Sequence, residues 1–281
     1  MDVGLTRLLL VLGVVVVAPA VLRLHTALDG RLVGGAVVSG VLAGIGVILP
    51  AGLRTAALSL PWAVLAGVAV LSAVPRTVSA LRGATDMWGI APAVAPLAAL
   101  AFWTVGSVWL LLDRLALDPV GVGPDLVLLT AVHFHFAGLA ATTIVATSVS
   151  RGAGGMTALL GTLVAPVLVA VGFVAVPALQ VLGAIVFTVA LLVWSLQAGP
   201  LGTRRAGVLW LVSRMSVWVS MPLAVWWATG FVTGLPAPSI PTMAATHGVI
   251  NALGFALAGA AALLLSGRRL TARPLPLRSE D

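Results

Sequence analysis

Three histidines stand in segments that are otherwise apolar. His133 and His135 lie in "AVHFHFAGLAATT" (131–143), and His247 lies in "THGVINALGFALAG" (246–259), with Asn251 at i+4. A neutral imidazole can relay a proton, hold a metal or bond a solute. A carboxamide four residues on can orient that imidazole or ligate a hard ion. Arg214, in "LWLVSRMSVWVSMPL" (209–223), is the remaining ionisable group inside an apolar run. Trp210, Arg214 and Trp218 follow i, i+4, i+8 and form one stripe, so the guanidinium could stack on either indole. Pro222 frees the carbonyl of Trp218, a possible acceptor. No carboxylate stands at this depth, so Arg214 either awaits an anion or rests on carbonyls, water and indoles.

These residues need a scaffold, and composition says which. The chain has 281 residues, 60% apolar and only 8% charged. Soluble domains carry about 25% charged residues. A polytopic, all-α transmembrane bundle is therefore expected. There is no Cys, which removes disulfides and thiolate metal sites. All 15 basic residues are Arg, so no Schiff-base lysine or P-loop can form. Glu280 is the only Glu, which excludes an H-E-x-x-H protease. No catalytic signature points to an enzyme. The net charge of +7 reads as membrane orientation and anionic lipid rather than nucleic acid.

A bilayer core of about 30 Å needs roughly 20 apolar residues per helix. Nine spans are predicted, near 5–22, 32–50, 56–74, 92–112, 125–147, 157–175, 178–199, 206–231 and 243–265. Pro61, Pro166 and Pro177 interrupt the third, sixth and seventh. Arg23, Arg31, Arg76, Arg82, Arg151, Arg204, Arg205, Arg268, Arg269, Arg273 and Arg278 fall in the segments after odd-numbered spans. The opposite segments hold Arg7, Arg54 and Arg114. The positive-inside rule puts the N-terminus outside and the C-terminus in the cytoplasm. Ala18-Pro19-Ala20 resembles a cleavage site, but basic residues follow this run more than they precede it, so the first span is expected to be retained. Residues 1–265 read as one bundle domain. Residues 266–281 read as a short basic tail on the anionic inner leaflet. His25 stands at a span end and reads as interfacial.

Depth brings the histidines together. His133 lies roughly 12 Å and His135 roughly 15 Å into the fifth span, and His247 roughly 9 Å into the parallel ninth. Residues i and i+2 differ by about 200° around a helix, so His133 and His135 cannot share a face. Only a distortion such as a π-bulge would change that. Gly138 and Thr142 make the His135 face small and polar, which favours His135 for the site and leaves His133 tied elsewhere. The expectation is that His135 meets His247 and Asn251, provided the fifth and ninth spans are neighbours.

"HFHFAGLAAT" and "HGVINALGF" together resemble the paired segments of the YndJ-like bacterial membrane proteins. The matching positions are His133, Phe134, His135, Gly138, His247, Gly248, Asn251, Gly254 and Phe255. The resemblance implies a polytopic protein of the bacterial inner membrane, and no known reaction. Arg214 and Trp218 enter from the residues alone. Three readings stay open. The first is a transporter of a small solute or ion using His135, His247, Asn251 and Arg214, driven by a gradient or by none. The second is an intramembrane metal or haem site on His133, His135 and His247, in a redox or lipid-modifying protein. The third is a scaffold in which these side chains hold helices together.

Overall fold

The structure is a computed structural model that describes residues 4–272. Among the described residues, nine helices are long and apolar enough to cross a membrane. They are α1 (Gly4–Leu22), α2 (Gly30–Ile48), α3 (Leu53–Arg82), α4 (Met87–Arg114), α5 (Pro124–Ser148), α6 (Ala153–Val174), α7 (Pro177–Gln197), α8 (Arg204–Thr233) and α9 (Ile240–Leu265). Arg273, Arg278 and the rest of the basic tail lie outside the described residues.

The helices start where local chemistry demands. Asp29, Asp86, Thr203 and Ser239 accept backbone N–H bonds at the starts of α2, α4, α8 and α9. Pro124 and Pro177 open α5 and α7, where a missing N–H costs nothing. Pro61 and Pro166 sit inside continuous helices, whereas Pro177 begins a new one. α3 and α8 run for 30 residues each, about 45 Å of helix, and so outreach a 30 Å core.

Consecutive helices pack as antiparallel neighbours, and the parallel helices α1, α5 and α9 also touch one another. This inner trio holds the sequence motifs. In α5, 72% of the most apolar window is buried, against 28% in α3 and α8. Each inner helix contains π-helical turns: Gly13–Val17 in α1, Phe134–Ala141 in α5, and Ala244–Gly248 with Ile250–Leu257 in α9. The π segments of the three helices contact one another. Close approach needs small residues. A Cβ on Gly138 would lie 2.6 Å from Phe102 Cβ, and one on Gly106 would lie 2.9 Å from His135 Nδ1.

Two polar residues hold the ends of the bundle. Arg114 is fully buried and donates from one terminal nitrogen to the carbonyls of Gly46, Val47 and Leu49, which end α2. Asp113 pairs with its other edge. An arginine counted as a loop charge is thus a helix C-terminal cap. At the arginine-rich end, His25 is buried rather than interfacial, and its Nε2 meets Thr143 Oγ1 of α5 at 3.0 Å. Leu270 pairs with the backbone of Leu24 and Thr26, closing the last described turn of the chain onto the first loop.

Candidate functional site

All three membrane histidines use the same nitrogen for the same purpose. His133 Nδ1 lies 2.8 Å from the Leu129 carbonyl, and His135 Nδ1 lies 2.7 Å from the Ala131 carbonyl. His247 Nδ1 lies 2.8 Å from the Ser220 carbonyl on α8. A carbonyl only accepts, so each Nδ1 carries the proton. In the neutral ring each Nε2 is then an acceptor. What faces Nε2 decides the role of each residue.

For His135 that position is filled. The Trp62 indole of α3 donates to His135 Nε2 at 2.9 Å, and the two rings lie near-parallel with centroids 5.9 Å apart. Trp103 packs edge-on against Trp62 at 4.9 Å. His135 is buried with both nitrogens engaged. It ties α5 to α3, so it has no lone pair to offer a ligand.

His133 is the opposite case. Its residue surface is exposed although α5 is the most enclosed helix, because the ring borders a partly open cavity of ≈ 290 Å³. Among the described residues no hydrogen bond reaches its Nε2. His247, Asn251, Gln180 and Thr130 line the same cavity, amid apolar side chains that include Trp109, Phe134, Phe136 and Trp227. The cavity lies toward the end where α5 and α9 begin, below Val120 and Val122 of the α4–α5 loop. That loop is drawn together by Asp118, which accepts from Gly123 N and Val122 N. These bonds hold the Asp118 carboxyl below its ordinary value.

Asn251 orients the third imidazole. Its Oδ1 accepts from Ser220 Oγ at 2.9 Å. Its Nδ2 is 3.3 Å from His247 Nδ1 and 3.2 Å from Nε2. A donor on the in-plane lone pair of Nε2 would lie much farther from Nδ1 than from Nε2. The near-equal distances place the amide over the ring face. His247 therefore keeps its Nε2 lone pair, as His133 does. Two open acceptors, on α5 and α9, look into one mostly apolar space.

The α5–α9 contact expected from sequence is present, but the histidines exchange parts. His133 joins His247 and Asn251 at the cavity, while His135 is tied to α3. The reason is not local: Trp62 and Gly106, from distant segments, complete the His135 pocket. Arg214 and Trp218 are not at the cavity. Both bond to Ser195 of α7, Arg214 Nε to its carbonyl and Trp218 Nε1 to its hydroxyl. Trp210 donates to the Gly199 carbonyl instead of facing Arg214. A three-histidine metal centre is not assembled. Among the described residues no group of three or more His, Asp or Glu side chains could hold a metal ion. The open donors are the two Nε2 atoms, fewer than the three protein ligands usual at catalytic zinc.

The sequence reading did not single out Ser220, Trp62 or Gln180. Ser220 binds His247 through its carbonyl and Asn251 through its hydroxyl. Gln180 is buried, borders the cavity, and has both amide atoms without a partner among the described residues. Polar residues in apolar runs were the available signal for Ser220 and Gln180. Nothing in the sequence marked Trp62 among the nine tryptophans.

Among the described residues, nine apolar helices around a partly open, polar-tipped cavity define a polytopic helical membrane protein. The chain matches the family model described as YndJ-like protein over residues 8–255, nearly its whole length, and belongs to that family. No curated protein and no solved structure matches it.

Proposed function

We propose that this YndJ-like protein binds a small, largely apolar solute in the cavity lined mainly by α5, α6, α7, α8 and α9 and carries it across the bacterial inner membrane. One observation carries the reading: His133 and His247 both spend Nδ1–H on backbone carbonyls and present Nε2 to an apolar space. Such a pair accepts hydrogen bonds and donates none. It favours a solute with a hydroxyl or amine and disfavours a carboxylate. Apolar pockets with a few convergent polar groups are the usual form of ligand sites. π-helical turns inside α-helices are frequent at functional sites, and those of α5 and α9 border the cavity. The arginine-rich end faces the cytoplasm in this reading, by the positive-inside rule.

Phenethylamine and benzyl alcohol are suitable probes, with phenylacetate as the acceptor-only control. The amine and alcohol should raise the Tm of the purified protein, phenylacetate should not, and H133A/H247A should abolish the response. Liposomes holding wild type should then take up labelled phenethylamine faster than liposomes holding the double variant. Equal Tm responses in wild type and double variant would remove the binding site. Equal uptake with the binding intact would remove transport alone.

A further inference from the structure

The register between α7 and α8 sets the depth of Arg214. Trp210 Nε1 donates to Gly199 O, Arg214 Nε donates to Ser195 O, and Thr188 Oγ1 donates to Met221 O. The last residue of α7, Gln197, therefore stands level with Val212. α7 has 21 residues, about what a bilayer core requires. α8 starts at Arg204, so its first two turns project past the end of α7 by about 12 Å. Counting from Arg205 alone puts Arg214 roughly 14 Å into the membrane. Register puts it about 3 Å inside the end of α7, at the boundary with the headgroups.

At that level Arg214 is half-buried, with one nitrogen engaged. Its two terminal nitrogens carry no hydrogen bond among the described residues. The ion pairs among the described residues are Arg114–Asp113 and Arg151–Asp86, and none of those residues offers Arg214 a carboxylate. Leu211, Met215 and Trp218 beside it are exposed at 52%, 46% and 44%, so this stripe faces lipid. Ser195 fixes both partners, taking Nε–H on its carbonyl and the Trp218 indole N–H on its hydroxyl. The outcome is a fixed cation with an open two-nitrogen edge beside an indole, at the depth of lipid phosphates.

We propose that Arg214 and Trp218, set by Ser195, bind the phosphate of an anionic phospholipid on the outside of the bundle, apart from the cavity. A guanidinium edge fits two phosphate oxygens in parallel, which an ammonium cannot do. The test is native mass spectrometry of protein released from micelles doped with phosphatidylglycerol and phosphatidylcholine. R214Q should retain phosphatidylglycerol about fivefold less than wild type, the effect of one basic residue near an anionic surface. R214K should fall between them, and R205Q should match wild type. Unchanged retention in R214Q overturns the site. An equal loss in R205Q reduces it to general surface charge and overturns it too. If glycerol 3-phosphate displaces the lipid at matching concentration, the site takes free anions and the lipid assignment fails. Should R214Q not fold, R214K and W218F decide, and unchanged retention in both overturns the proposal.

Discussion

At the scale of the residue, the position of one proton sorts the histidines. Nδ1–H is committed to a carbonyl in all three, so the neighbour of Nε2 separates a tether from a ligand group. Removing His135 strands the Trp62 N–H in a dry core, and an unmet buried donor costs roughly 1–3 kcal/mol. H135A should therefore lower the Tm in detergent clearly. H133A, whose ring ends in a cavity, should shift it by only about 0.5 kcal/mol in equivalent stability. W62F should resemble H135A, and the double variant W62F/H135A should cost less than the two singles added, because they share one bond. Equal losses for H133A and H135A, read by tryptophan fluorescence on heating, would contradict this division. Helix geometry alone separated the two histidines, since neighbours at i and i+2 diverge. It could not say which one met the cavity, because that choice belongs to Trp62 and Gly106 on other helices.

At the scale of the element, span number and most span ends were legible because they follow from local chemistry, but α3 runs through Arg76 to Arg82, well past the expected end at 74. Apolar run length, capping Asp, Ser and Thr, and Pro at a first turn each act within a few residues. The π-helical turns were not legible, since their hydrogen-bond register is settled by the packing of α1, α5 and α9 on one another. Arg114 was misread for the same reason: its partners lie at the end of α2. One helix end carries a removable strain. α4 closes with Ala116 at φ 55, and Leu117 N bonds back to Leu112 O, the left-handed C-terminal motif that glycine suits best. An alanine there costs on the order of 1 kcal/mol. A116G should raise the Tm by a small amount equivalent to about 0.5 kcal/mol at most, after glycine's added chain entropy is counted. A116V should lower it, and the reverse order would show that this loop is not held in the left-handed form.

At the scale of the whole molecule, the last described residues close onto the loop after α1 at the arginine-rich face, and His25 lies beneath that closure. Leu270 pairs with Leu24 and Thr26, Arg76 donates to the Ala27 carbonyl, and His25 reaches Thr143 on the central helix. Sequence alone treated His25 as an interfacial residue at a span end, because neither Leu270 nor Thr143 is near it along the chain. Burial pushes the imidazole down from its ordinary 6.5 to about 4. The folded protein therefore holds His25 neutral while the unfolded chain protonates it. Between pH 6.5 and 4 the unfolded state binds the extra proton, so this contribution is complete above 6.5 and is lost as pH falls. The Tm should drop between pH 7 and pH 5, and H25Q, which can still bond Thr143, should flatten that slope while lowering the Tm little at pH 7.5. A slope unchanged in H25Q would mean that His25 is solvated in the native protein and that the closure around Leu270 does not seal it.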